Sequence, residues 1–278
     1  MSLELVSVIM PTYNTGKFLS ESIASVLNQT YPNLELLITD DGSTDETLTI
    51  LENYAQKDPR VKVFCLGKHQ GPGHTRNHSI QEAQGRYIAF CDSDDRWMPE
   101  KLEKQIQFMQ EKQCALCCSS YITCNDRNEE TGIVYAPEEI SFSMMKRDNK
   151  IGCLTAIYDT QLLGKKYYMP SLQKRQDWAL FMDITKQCHK AYGITEPLAY
   201  YRHRNDSVSS NKFALIPYNI KVYETILGYS PVKATLYFFF LFLPTYYAKV
   251  LKRNRDSKEY LKKKGIVHNK QTITTLLV

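Results

Sequence analysis

Three carboxylates, Asp92, Asp94 and Asp95, crowd into four positions directly after the apolar run Tyr87-Ile-Ala-Phe-Cys91. The run reads as a strand buried on both faces. Carboxylates this close repel one another, and holding them at the end of such a strand is costly unless a cation is shared. An oxygen-only cluster suits Mg2+ or Mn2+, which complete their shells with water and substrate phosphates. A solvated acidic turn before a helix capped near Met98-Pro99-Glu100 explains the same residues without a metal. A second acidic pair, Asp40-Asp41, follows another apolar run, Leu34 to Thr39. Turn chemistry accounts for the glycine that comes next, Gly42, but not for two adjacent acids.

The elements that must position these groups can be read in order. Val6 to Met10 is a β-branched apolar run that Pro11 is expected to stop, with Thr12-Tyr13-Asn14 as the turn after it. Leu19, Ile23, Val26 and Leu27 recur at helical spacing. Leu34 to Thr39 is a second strand, and Ser43 with Glu46 has the spacing of a capping box, predicting a helix that carries Leu48, Leu51 and Tyr54 inward. Val61 to Leu66 is a third strand. The glycine loop 67–73 leads into a helix bearing Arg76 and Asn77, and the Tyr87 strand is the fourth. Strand and helix alternate, which argues an α/β domain with a mainly parallel sheet. Ligands in such sheets sit beyond the carboxyl ends of the strands. Thr12–Asn14, Asp40–Asp41 and Asp92–Asp95 all fall there, so three strands deliver polar groups to one edge.

Past the helix Leu102–Lys112, Ala115 to Ile122 reads as a buried strand that carries cysteines. The Cys114-x-x-Cys117 spacing has no second ligand pair to make a zinc site. The stretch 125–150 is polar and aperiodic, expected as a surface excursion. Ile151 to Tyr158 reads as a strand, and a helix follows Gln176-Asp177-Trp178, with Trp178 assigned to packing. Ala234 to Ala248 is fifteen residues without a charge, interrupted by Pro244. That is short of the roughly 20 apolar residues a spanning helix needs. It is read as lying in a membrane interface, with a core helix closing the domain as the alternative.

Composition bounds the function class. The chain has 278 residues, 43% hydrophobic and 23% charged, as in an ordinary globular protein. Its formal charge of +5 is unevenly placed, because nine Lys or Arg face only two acids between Lys249 and Lys270, leaving the remainder at −2. A nucleic-acid-binding body is not indicated, although a basic tail is. No basic segment leading into a long apolar run opens the chain, so its eight cysteines are expected to be reduced and its compartment cytoplasmic.

The ordered set Val6-Ser-Val-Ile-Met-Pro-Thr-Tyr-Asn14, Asp40-Asp-Gly-Ser-Thr-Asp45, Gly71-x-Gly-x-x-Arg76-Asn77, Gly85-x-Tyr-Ile-Ala-Phe-x-Asp-Ser-Asp-Asp95 and Gln176-Asp177-Trp178 resembles the family 2 glycosyltransferases of the GT-A fold. It covers roughly residues 5–210. The resemblance implies a Rossmann-like sheet flanked by helices. It also implies inverting transfer of a sugar from a nucleotide-diphosphate donor, most often a UDP-sugar, to an acceptor hydroxyl. By similarity, Asp41 accepts a hydrogen bond from the base, with Thr12, Tyr13, Asn14 and Asp40 beside it, and Arg76 lies near the nucleotide. Asp92 and Asp94 match the Asp-x-Asp element, with Asp92 on the donor side and Asp94 and Asp95 as ligands for Mn2+ or Mg2+. Asp177 matches the general base. Many relatives build lipid-linked glycans at the inner face of a bacterial membrane, so the acceptor is expected to be a glycan or lipid-linked glycan. Contact with an anionic membrane surface is expected through the C-terminal segment.

Two positions depart from the family pattern. Gln176 stands where Glu is common, which removes a neighbouring negative charge. Arg204 stands where a histidine is expected, with His203 one place early, and Arg204 is the candidate to bind a phosphate directly. The expected organisation is a catalytic domain over 1–212 and a helical, aromatic and basic appendage over 213–278. Within the catalytic domain, a nucleotide-binding part spans about 1–125 and an acceptor-side part about 126–212. A nucleotidyltransferase is the rival enzyme class, but Pro11-Thr-Tyr-Asn14 is not a glycine- and lysine-rich phosphate loop. A catalytically inactive sugar-nucleotide-binding module is the other alternative, and the intact Asp94, Asp95 and Asp177 speak against it.

Overall fold

A computed structural model describes residues 3–203 and 215–266. Its first half repeats strand and helix: β1 (Val6–Thr12), α1 (Gly16–Leu27), β2 (Leu34–Asp40), α2 (Thr47–Lys57), β3 (Val61–Cys65), α3 (Pro72–Glu82) and β4 (Tyr87–Phe90). The short β5 (Arg96–Trp97), α4 (Lys101–Lys112) and the cysteine-bearing β6 (Leu116–Cys124) follow. Next come β7 (Glu130–Val134), β8 (Glu139–Ser141), α5 (Phe142–Arg147), β9 (Ile157–Asp159), α6 (Thr160–Leu163), α7 (Gln176–Cys188) and β10 (Lys190–Arg202). The last helices are α8 (Ile216–Leu227), α9 (Pro231–Tyr237) and α10 (Leu243–Lys263).

All ten of these strands join one sheet in the order β3-β2-β1-β4-β9-β6-β10-β5, with β7 paired to β6 and β8 to β10. The β3-β2-β1-β4 half is parallel, as expected of βαβ units, and β9 runs antiparallel between β4 and β6. The sequence explains the burial. Along β1, Val6, Val8 and Met10 pack in one apolar layer with Leu19, Ile23 and Leu102, while Ile9 packs in the other with Ile80, Phe90 and Phe181. Period-two side-chain alternation thus feeds two cores from one strand. Every residue of β1, β2 and β4 is buried.

Several expectations need correction. Pro11 does not stop β1, which continues to Thr12. The Val6 N–H bonds toward β2, so odd-numbered residues face β4, and β4 pairs no further than Ile9; the N–H that Pro11 lacks has no ladder partner there. Ser43 and Glu46 form no capping box, since Ser43 Oγ donates to Asp40 Oδ1 and α2 begins at Thr47. The stretch 125–150 is not a plain surface excursion: β7, β8 and α5 lie within it, too short to show a period. Of Ile151–Tyr158, only Ile157 and Tyr158 enter a strand, after a 3-10 turn at Cys153–Thr155.

The C-terminal segment also differs. Pro244 does not interrupt it, and one helix runs from Pro231 to Lys263, long and apolar enough to cross a membrane by length and composition alone. A π-helical stretch at Phe238–Phe242 precedes Pro244, so the i to i−4 ladder is already altered where the proline supplies no N–H. One face of this helix is docked on the domain along its length. Phe242 lies against Trp178, Lys249 pairs with Asp148, Ser257 Oγ bonds Ile133, and Tyr260 bonds Glu130. Gly132 permits this approach, because a Cβ there would sit 2.4 Å from Ser257 Oγ. The opposite face exposes Val232, Leu236, Phe239, Phe240, Leu243, Tyr247 and Leu251.

Candidate active site

The carboxyl ends of β1, β2 and β4 bring Thr12–Asn14, Asp40–Asp41 and Asp92–Asp95 to one edge. Thr12 Oγ1 lies 2.6 Å from Thr15 Oγ1, which in turn donates to Ser93 Oγ at 3.1 Å, so buried hydroxyls tie the end of β1 to the acidic turn. Asn14 takes a left-handed conformation (φ 50°). Its backbone N–H bonds Ser43 Oγ, and its side-chain oxygen accepts from the Thr44 N–H. Asp40 is turned into its own loop, accepting from the N–H groups of Gly42 and Ser43. It therefore shapes the site from beneath.

Asp41 has a different task. Its Oδ1 accepts from the Gln70 N–H at 2.7 Å, its Oδ2 accepts from the Gly71 N–H at 2.8 Å, and His69 Nδ1 lies 2.9 Å from Oδ2. A carboxylate buried to 2% exposure thus anchors the glycine loop. Oδ1, with the Gln70 N–H as its one partner among the described residues, retains a second lone pair for a ligand N–H. The loop in turn sets His69 against the exposed Tyr13 ring, centroids 4.4 Å apart. Its far end abuts α7, where a Cβ on Gly73 would meet the Gln176 side chain at 3.2 Å.

The acidic turn holds its three carboxylates in unlike settings. Asp92 is ion-paired to the buried Arg76. Burial, the largest single influence, lowers the Arg76 pKa, but the charge and hydrogen bond of Asp92 together with the charges of Cys153 and Asp177 outweigh it, and the net shift is upward. Asp94 is partly exposed, and its backbone carbonyl accepts from Arg202 Nε at 2.9 Å. Asp95 is 1% exposed; Oδ1 accepts from the Arg202 backbone N–H, while Oδ2 is buried without a hydrogen bond among the described residues. Burial first, then the charges of Asp94 and Asp92, push the Asp95 carboxyl well above the usual carboxylate range.

These residues fit a hard divalent cation. The donors are all oxygen, and one is a buried carboxylate oxygen left unpaired, which a cation would neutralise. Among the described residues no three His, Cys, Asp or Glu side chains converge as a full ligand set. The protein's share would be one or two carboxylates, with water and phosphate oxygens supplying the rest. All eight cysteines are free thiols, and Cys114, Cys117, Cys118 and Cys124 are buried in or beside β6.

Asp177 sits in the first turn of α7. Its Oδ2 accepts from Asn149 Nδ2 at 3.0 Å, and its charge reaches Arg76, the partner of Asp92. The residue that starts the helix, Arg175, is left-handed (φ 67°), a strained turn of the kind that gathers at functional sites. Trp178 is fully buried, donating to the Met145 carbonyl, and has the packing role expected of it. His203 is exposed beside the Tyr201 ring, and Arg204 lies outside the described residues.

Two residues important to this arrangement carried no assignment from sequence. Arg202 holds both Asp94 and Asp95, and fixes itself through Glu21, Asn128 and the Phe18 ring. Its place directly before His203 and Arg204, where the family pattern departs, was the available signal. Asn149 lies in an aperiodic stretch that gave none.

A sequence model of the family described as Glycosyl transferase family 2 matches residues 7–169. A Bacillus subtilis glycosyltransferase named for teichuronic acid biosynthesis, TuaG, is 40% identical over 232 residues, covering 83% of this chain and 92% of the relative. An Escherichia coli enzyme named UDP-Glc:alpha-D-GlcNAc-diphosphoundecaprenol beta-1,3-glucosyltransferase, WfgD, is 38% identical over 210 residues, 75% of this chain and 81% of that one. Among solved structures, residues 1–349 of Staphylococcus aureus TarS in complex with UDP-GlcNAc match with a TM-score of 0.64 at 25% identity, over 82% of this chain and 69% of that chain.

Proposed function

The chain belongs to glycosyl transferase family 2, and from that premise we propose that it moves a sugar, with inversion, from a UDP-sugar to a lipid-linked glycan acceptor in bacterial surface-glycan synthesis. The observation that carries the reading is the convergence of the Asp41-anchored loop, the Asp92–Asp95 turn and Asp177 on one cleft. Tyr13 offers its exposed ring to the uracil, and Asp41 orders the loop beside it. Arg76 bears on the donor diphosphate through its pairing with Asp92. Asp94 and Asp95 would hold a Mn2+ or Mg2+ ion, which would supply neutralisation of charge on the departing diphosphate. Asp177, held by Asn149, takes the proton of the acceptor hydroxyl as its oxygen attacks the anomeric carbon from the face opposite the leaving group. Arg204 adds a phosphate contact in this scheme. The domain division is retained: 1–212 performs the chemistry, its first 125 residues hold the donor, and 213–278 is the appendage.

Incubating the full chain and Mn2+ with a panel of UDP-sugars and a GlcNAc-diphosphate lipid tests this reading. Label should pass from one donor into the lipid fraction with release of UDP, and the new linkage should have inverted anomeric configuration. Pyrophosphate release in place of UDP would make the protein a nucleotidyltransferase. Donor binding without transfer or hydrolysis would make it an inactive binding module.

We place this activity at the inner face of the cell membrane, and the C-terminal helix supports that reading. Its docked face holds it beside the domain, which supports a helix lying along the membrane surface. Its free face is an apolar stripe recurring every three or four residues from Val232 to Leu251. Lys233, Lys252, Arg255 and Lys258 flank the stripe with charge complementary to anionic lipid. Flotation with anionic liposomes should recover the protein at low salt and less of it at high salt. Leu236→Glu combined with Phe240→Glu should abolish flotation while UDP affinity is kept; unchanged flotation would confine the helix to a structural role.

A further inference from the structure

Four cations gather beside the proposed base. Lys249 of α10 and Lys150 both pair with Asp148 Oδ2, which is 3% exposed, the second at 3.2 Å. The charge of Arg175 bears on Lys249, and Arg253, four residues after Lys249 in α10, bears with Asp148 on the Tyr121 hydroxyl. The backbone carbonyl of Asn149 accepts from Lys249 Nζ at 3.1 Å, while the same residue's side chain holds Asp177. The cluster is therefore one residue away from the base.

Its charge is not balanced. Asp148, Asp177 and Asp95 are the carboxylates whose charges reach the region of Lys150, Arg175, Lys249 and Arg253, which leaves about one positive charge in excess. The Nε atoms of Arg175 and Arg253 are both buried and make no hydrogen bond among the described residues. A buried guanidinium N–H without an acceptor costs free energy that an anion would recover. Burial is the chief cause that lowers the Lys249 pKa against the pull of Asp148, with smaller contributions from the like charges of Lys150 and Arg175.

Helical spacing adds a second constraint. Lys249 and Arg253 are four residues apart and face the domain, whereas Leu243, Tyr247 and Leu251 on the same turns face outward. A helix lying in a lipid interface by its outer face thus sets these two cations at head-group level, where the phosphates of a lipid-linked substrate would be.

We propose that Lys150, Arg175, Lys249 and Arg253 bind the diphosphate of the lipid-linked acceptor and so set its sugar hydroxyl against Asp177. This rests on the acceptor class proposed above. It assigns acceptor recognition to residues from three separate segments, with the donor diphosphate left to Arg76 and the acidic turn.

Isothermal titration of the full chain with decyl diphosphate, at saturating UDP and Mn2+ and again without UDP, tests the assignment. Saturating UDP blocks the donor diphosphate site, so the remaining binding reports the cluster. Arg175→Gln/Arg253→Gln should weaken decyl diphosphate binding by about tenfold or more, as expected for loss of charge-assisted hydrogen bonds. UDP affinity and Tm should stay unchanged. Arg253→Gln alone, which leaves the left-handed turn at Arg175 intact, should show part of the loss. Inorganic pyrophosphate should bind more weakly than decyl diphosphate, and equal affinity would reduce the site to one for free diphosphate. Decyl diphosphate affinity unchanged in the variants, or its full displacement by UDP, would overturn the proposal. Failure of UDP to bind the wild-type protein would instead sink the donor reading, and the UDP-free titration would still judge the cluster.

Discussion

Asp177→Asn is expected to lower the rate of sugar transfer by roughly 10²–10⁴-fold, the range for losing a general base. The substitution is isosteric, and the amide can still meet Asn149 Nδ2 through its oxygen, so the first turn of α7 should be unchanged. Donor affinity should stay close to normal, because the Asp41-anchored loop and the Arg76–Asp92 pair are untouched. Turnover measured as UDP release, set beside the UDP dissociation constant from titration, separates the two effects. Equal loss of both would move Asp177 from the chemistry into the donor-binding shell.

Removal of divalent cations is the second large effect. Chelation should take transfer to background, about 10³-fold or more for a term worth several kcal/mol, and Mn2+ or Mg2+ should restore it. Asp94→Asn should raise the metal concentration needed for half activity. Full turnover in excess chelator would remove the cation from the mechanism.

Asp95 adds a pH dependence to the same experiment. Its carboxyl in the folded protein is pushed up by burial and by Asp94 and Asp92, whereas the unfolded chain has an ordinary aspartate value. Between those two values the native state binds more protons, so metal-free stability falls as pH rises through the window. A cation that needs the ionised carboxylate reverses the cost. The rise in Tm on adding Mn2+ should therefore grow with pH and shrink toward acid, where protons compete. In Asp95→Asn the metal-dependent rise should vanish, and the metal-free protein should be more stable than the wild type at neutral pH. A Mn2+ effect that is flat with pH would place the cation elsewhere.

The sequence by itself determined the alternation of apolar strands and amphipathic helices through β4, and hence the parallel half of the sheet. It also determined which polar clusters fall at strand ends. Those features are local: side-chain period, a run of β-branched residues, and carboxylates placed directly after a strand. Family membership rests on the same short motifs and was legible for that reason. The roles that neighbours impose were not legible. Ser43 and Glu46 have the spacing of a cap, yet Asp40 takes the Ser43 hydroxyl, so the box never forms. Pro11 reads as a stop until β4 is seen to end short of it. The 3- to 5-residue strands β7 and β8 are too brief to display a period and exist because β6 and β10 template them. Tertiary structure alone decided that Arg202 clamps Asp94 and Asp95 from 107 and more residues away, and that Lys249 reaches back to Asp148 and Asn149. The physical reason is common to all of these. A buried carboxylate or cation must find partners wherever the chain brings them, and that demand acts across space without leaving a period or spacing in the sequence.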